Sequence, residues 1–169
     1  MSSTSGEHLA CTDIEDYVLG TRQKTDSGQP IVEGSTMDSY GMAVTTSLSM
    51  DDAEVAIRSA LAEEGFGVLT EIDVAATLKA KIDVDRPAYK ILGACNPHLA
   101  NQALNHDEAI GLLLPCNVIL SDSPDGVIVA AVDPKVMLGI AGDSPDMMEV
   151  AGEARTKLER AIATLPVLS

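Results

Sequence analysis

Apolar residues recur along this chain at two spacings, and the switches between them mark out strands and helices. From Tyr40 to Leu48 the sequence is rich in Val and Thr and alternates weakly, which predicts a strand. Ser49 with Asp52 three residues on is a carboxylate version of the capping box. Ala53, Ala56, Ile57, Ala60 and Leu61 then repeat at helical spacing, and Gly65 closes that helix. A second strand is expected over 67–72. Asp73 caps a shorter helix to about Lys81, with Val74 and Leu78 turned to the core and Lys79 and Lys81 outward. Pro87 disfavours helix before it, and 88–94 is apolar apart from Lys90, without a helical period. That run predicts a strand buried on most of both faces.

Asn96-Pro97 starts the next helix, since Asn is a preferred cap and the fixed φ of proline suits the first helical position. Its expected extent is 97–105, with Leu99 and Ala103 as the inner stripe. Pro115 leads into a strand over 116–120. Period two places Cys116, Val118 and Leu120 on one face and Asn117 and Ile119 on the other. Ser-Pro-Asp-Gly within 121–126 is a hairpin turn, and 127–132 returns as a strand that is apolar on both faces. Asp133-Pro134 opens a short helical piece containing Val136, Met137 and Ile140. Gly139 to Gly142 is a loop, after which Ser144-Pro145 opens a last helix from about Asp146 to Thr164. Met147, Ala151, Ala154, Leu158, Ala161 and Leu165 form its narrow stripe. The order of elements predicts an α+β domain over 39–169. It is a two-layer sandwich, with a mainly antiparallel sheet of four or five strands and helices packed against it. Residues 1–38, rich in Ser, Thr, Gly and Asp, are expected to be a flexible extension interrupted by a short amphipathic turn, Ile14 to Leu19.

Composition narrows the choices. With no Trp and a single Phe in 169 residues, the core has to be built from Ala, Val, Leu, Ile and Met. A formal charge of -15, with no run among the 11 basic residues, argues against nucleic acid, which needs a basic face. A solvated acidic surface is the plainest account of the charge, with adaptation to a salt-rich cytoplasm and a cation-binding role as alternatives. No apolar run approaches the length that spans a bilayer, so no membrane partner is expected. Met1 to Thr12 lacks the basic and apolar regions of a secretory leader, so a cytoplasmic setting is expected. Cys11, Cys95 and Cys116 are spaced unlike a disulfide framework, and a reducing compartment keeps them as thiols.

The candidate chemistry gathers at Cys95 to His98. Cys95 stands just before a helix N-terminus, where free N–H groups and the helix dipole can lower a thiol pKa. With Cys116 as resolving partner, this suggests a thiol oxidoreductase. Cys95 and His98 also have Cys-x-x-His spacing, which with Cys116 allows metal or haem ligation. The second close pair usual in zinc sites and the Cys-x-x-Cys-His of c-type haem attachment are both absent. An exposed His98 is the plainer alternative, and Cys116 as a small core hydrophobe is another. The helix start at Asn96 is also a ready anion site. Leu113, Leu114, Met137 and Ile140 could line a small apolar pocket or a dimer surface. No Ser-His-Asp order, phosphate-cradling glycine loop or paired carboxylates appear.

Three further runs carry a family resemblance. Gly93 to Pro97 (GACNP), Leu113 to Asn117 (LLPCN) and Asp85 to Lys90 (DRPAYK), with LKAKID from Leu78 and VDP from Val132, resemble the domain of unknown function 302 family over roughly 41–164. The resemblance implies a compact α+β domain that pairs as a homodimer and has no established activity. The resulting expectation is a homodimeric small-ligand-binding or sensing module. Its site would be Cys95, Asn96, Pro97 and His98, with Cys116 and Asn117 beside them. No cofactor is named by the sequence.

Overall fold

The chain from Gly41 to Val132 lays down five strands that form one sheet in the order β1-β5-β4-β3-β2. They are β1 (Gly41–Thr46), β2 (Gly67–Asp73), β3 (Tyr89–Cys95), β4 (Cys116–Ser123) and β5 (Gly126–Val132), and every neighbouring pair is antiparallel. The helices are α1 (Met50–Glu63), α2 (Val74–Ile82), α3 (Pro97–His106), α4 (Pro134–Gly139) and α5 (Pro145–Ala163), with a 3-10 helix over Glu108–Leu113. This computed structural model describes residues 39–142 and 144–168, all within one unit, Gly34–Ser169. The expected extension over 1–38, with Cys11 and the Ile14 to Leu19 turn, lies outside the described residues.

The predicted α+β architecture holds, and the capping residues explain where most helices start. The Ser49 hydroxyl accepts from the Asp52 N–H at 3.2 Å, Asp73 from Ala76 at 2.8 Å and Asp133 from Lys135 at 2.8 Å. Ser144 makes no side-chain capping bond, so α5 starts with its proline alone. Gly65 ends the turn after α1 at φ +83, in the left-handed region where a side chain is strained.

Register then decides which residues meet. Ala94 pairs with Cys116 and Leu92 with Val118, while Gly93 pairs with Asn117 and Ile91 with Ile119. Period two therefore gives the sheet two distinct faces. One carries Leu92, Ala94, Cys116, Val118, Leu120, Val127, Val129 and Ala131, and α1 and α5 pack on it to form the main core with Ile57, Leu61 and Leu158. The predicted α5 stripe is buried at every position, with Ile162 added to it.

Lys90, the one charged residue of β3, belongs to the same face. Its Nζ lies 2.6 Å from a Glu54 carboxylate oxygen on α1. Burial works to raise the Glu54 pKa, but hydrogen bonds from Lys90 and Arg58 outweigh it and hold the carboxyl below its ordinary value.

The opposite face of the sheet is apolar too, yet Ile91, Ile119 and Ile128 on it stay only half-buried. At the margins the sequence overstated burial. Helix α2 has no buried residue, and Val74 and Leu78 reach only intermediate burial. The reason is topological: α2 packs against β2 and β3, and β2 is the outermost strand, exposed along most of its length. At the other margin, β1 pairs with β5 and is bridged at Thr46 by Val167, while the Leu168 N–H donates to the Thr45 carbonyl at 3.0 Å.

Candidate functional site

The stretch from Cys95 to His98 is built as a structural joint. Asn96 is buried, and its Oδ1 accepts from the N–H groups of His98 at 3.2 Å and Leu99 at 3.3 Å. Its Nδ2 donates to the Glu64 carbonyl at 3.4 Å, tying the start of α3 to the end of α1. Two amides expected to receive an anion are therefore engaged by the cap itself. Pro97 and His98 are exposed on the outside of this turn.

The two cysteines come close without facing each other. Cys116 pairs in register with Ala94, one residue before Cys95, which ends its strand, so the two are not cross-strand partners. Both border a cavity of about 30 Å³ enclosed by Phe66, Leu99 and Leu138, which has room for little more than a water molecule. Both are free thiols.

Burial pushes the Cys95 thiol above its ordinary value, and pushes Cys116, beside Cys95, up to about 11. The direction is opposite to the thiolate character expected from the helix end, and its cause is loss of hydration on burial. Cys95, His98 and Cys116 do not assemble as the ligation reading requires: among the described residues no group of three or more His, Cys, Asp and Glu is placed to hold a metal.

A larger space lies on the other face of the sheet. A groove of about 490 Å³ runs between Tyr89 and Ile119 of the sheet and the Leu112-Leu113-Leu114 segment, with Tyr40, Ala130 and Met137 also lining it. Such a volume falls in the range that holds small organic ligands. Leu113, Leu114 and Met137 are the pocket residues expected from sequence, whereas Ile140, 77% exposed, stands outside the lining. Asn117 reaches the groove while Cys116 faces the core, so the alternation of β4 splits the expected site between two sides of the sheet.

Tyr40 and Tyr89 also line the groove and are absent from the site expected from sequence. The available signal was periodic: Tyr89, Ile91 and Gly93 alternate onto the face shared with Asn117 and Ile119. Gly93 was the second clue, since a glycine inside a strand marks a close approach. A Cβ there would lie 2.7 Å from the Pro115 ring and clash with Thr70 Oγ1, so glycine lets Pro115 settle onto the sheet as part of the groove wall.

Among the described residues, no Asp, Glu, Lys or Arg lines the groove. A second depression of about 490 Å³, between α3 and α5, is polar and acidic, with Asp146, Glu149 and Glu153 on its wall. The Arg86 guanidinium lies over the Tyr89 ring, 4.7 Å from its centroid, a cation-π contact next to the groove.

Fold and site define a small α+β domain with α1 and α5 on one sheet face and an apolar groove on the other. Residues 42–165 match the family described as Domain of unknown function DUF302, and the chain belongs to that family. The crystal structure of an uncharacterized conserved DUF302 protein from Bacillus stearothermophilus superposes with a TM-score of 0.69 at 26% identity. The likeness covers 73% of this chain and 95% of that one. No curated protein matches the sequence. Among the described residues, no helix is long and apolar enough to cross a membrane.

Proposed function

We propose that this domain is a small-ligand-binding module and that its ligand occupies the groove between Tyr89, Leu114 and Ile119. The observation that carries this reading is an uncharged, apolar groove of about 490 Å³ in a chain with 26 acidic residues. Two of the protein's three tyrosines border it, and Asn117 supplies a polar group to orient a ligand. This moves the site from the Cys95 to His98 helix start to the opposite side of the sheet and keeps only Asn117 from the original set. The raised thiols weigh against a thiol oxidoreductase. Two free cysteines favour the reducing cytoplasm as the setting.

The test is a fluorescence titration with 2-naphthamide, a neutral probe of suitable size. Ile119→Glu, which puts a charge into the groove, should weaken binding by roughly tenfold or more, and Cys95→Ala should leave it unchanged. Loss of binding in Cys95→Ala with none in Ile119→Glu returns the site to the helix start. No measurable binding to the wild-type domain removes the proposal.

We also propose that a second copy of the chain covers the rim of this groove. Leu112 is 88% exposed and Tyr40 is 52% exposed, both at the groove, and such unpaired apolar side chains mark association surfaces. Sedimentation of the wild-type domain at micromolar concentration should show a dimer, and Leu112→Asp should shift it to a monomer. A wild-type domain that sediments as a monomer defeats the pairing.

A further inference from the structure

The charged surface supplies a clue to the ligand's polar end. Four arginines fall within the described residues, and three of them are held by carboxylates: Arg58 by Glu54 and Glu71, Arg155 by Asp133 and Glu159, and Arg160 by Glu64. Arg86 makes no ion pair among the described residues, although the chain as a whole carries a charge of -15. Its neighbour Asp85 is engaged by Lys79 at 2.8 Å. What holds Arg86 instead is the Tyr89 ring, and that ring lines the groove. A guanidinium lying over an aromatic ring uses its flat face, so its in-plane N–H donors remain available to an anion.

We infer that the ligand is an apolar monocarboxylate, with its body in the groove and its carboxylate paired with Arg86; this rests on the groove being the ligand site. Guanidinium donors match a carboxylate as two parallel hydrogen bonds, a geometry that a lysine ammonium cannot reproduce. The tyrosine rings and leucines receive the hydrocarbon body, and two tyrosines favour a planar one. A polyanion such as a nucleotide is a poor match, because Arg86 is a single cation on a strongly acidic protein that repels multiple negative charges.

The matched probes are 2-naphthoate and 2-naphthamide, alike in shape and different in charge, titrated against the whole chain. The wild-type protein should bind the carboxylate roughly twofold to fivefold more tightly than the amide, the upper range for a charge pair open to water. Arg86→Gln should abolish that preference, and Arg86→Lys should keep only part of it. Added salt should weaken the carboxylate alone. Equal binding of the two probes by wild type, or a preference that survives Arg86→Gln, overturns the carboxylate assignment and leaves the groove intact. Amide binding that is indifferent to Ile119→Glu instead overturns the groove itself, and the ligand assignment falls with it.

Discussion

Truncating Leu158 to alanine is expected to destabilise the domain by about 2–5 kcal/mol, the usual cost of a leucine cavity in a well-packed interior. Leu158 is 0% exposed and lies in the middle of the α5 stripe, where the helix meets the main core of the sheet. Its neighbours along the stripe are alanines, Ala151, Ala154 and Ala161, which bring the helix close to the strands but contribute little apolar area each. Leu158 therefore supplies much of the stripe's buried surface, and the small side chains around it are poorly able to refill a hole. Urea titration should show a lower midpoint at unchanged slope, and the melting temperature should fall by roughly 2–4 °C per kcal/mol. A loss under about 1 kcal/mol would mean that α5 settles onto the sheet and closes the cavity.

Gly93→Ala should cost about 1–3 kcal/mol through overpacking, although it adds a single methyl group. The added Cβ meets Thr70 Oγ1 on β2 and the Pro115 ring at 2.7 Å, and neither neighbour is a long flexible side chain able to swing away. Because Pro115 forms part of the groove wall, the same substitution should also weaken 2-naphthamide binding at temperatures where the variant is fully folded. Gly67→Ala is the matched control, since nothing lies within 4 Å of a Cβ built there. Its stability should stay within about 0.5 kcal/mol of wild type or rise slightly, as expected when a glycine gains a side chain in open space. Equal stability of the two variants would show that Pro115 yields without cost.

What the sequence disclosed depended on how local each determinant was. Helix starts at Asn96-Pro97, Asp133-Pro134 and Asp73 were legible because a cap acts on amides two or three residues away. The division of β4 between Cys116 and Asn117 was legible because alternation is a property of the strand itself. Burial of α2 was misjudged because an apolar pair such as Val74 and Leu78 reaches the core only if its helix lies over the sheet's centre, which strand order decides.

The groove is only partly legible in the sequence. Leu113, Leu114 and Met137 stand near one another in the pattern, but Tyr40 joins them only through the pairing of β1 with β5. Cysteine and histidine stand out by their chemistry, whereas the two tyrosines, far apart in sequence, are joined only by the groove they both line. The thiols illustrate a second limit. A helix end is visible in sequence, and the loss of hydration that raises the Cys95 thiol is not.

The bridging of β1 has a consequence for how the molecule is made. Its partner β5 comes late in the chain, and the Val167 bridge at Thr46 comes later still, so this margin joins segments far apart in sequence. Closing so long a loop is entropically slow, whereas β2 through β5 need only neighbouring pairings. During synthesis the first of these five strands is thus the last of them to find its partner, and it waits unpaired until β5 has been made.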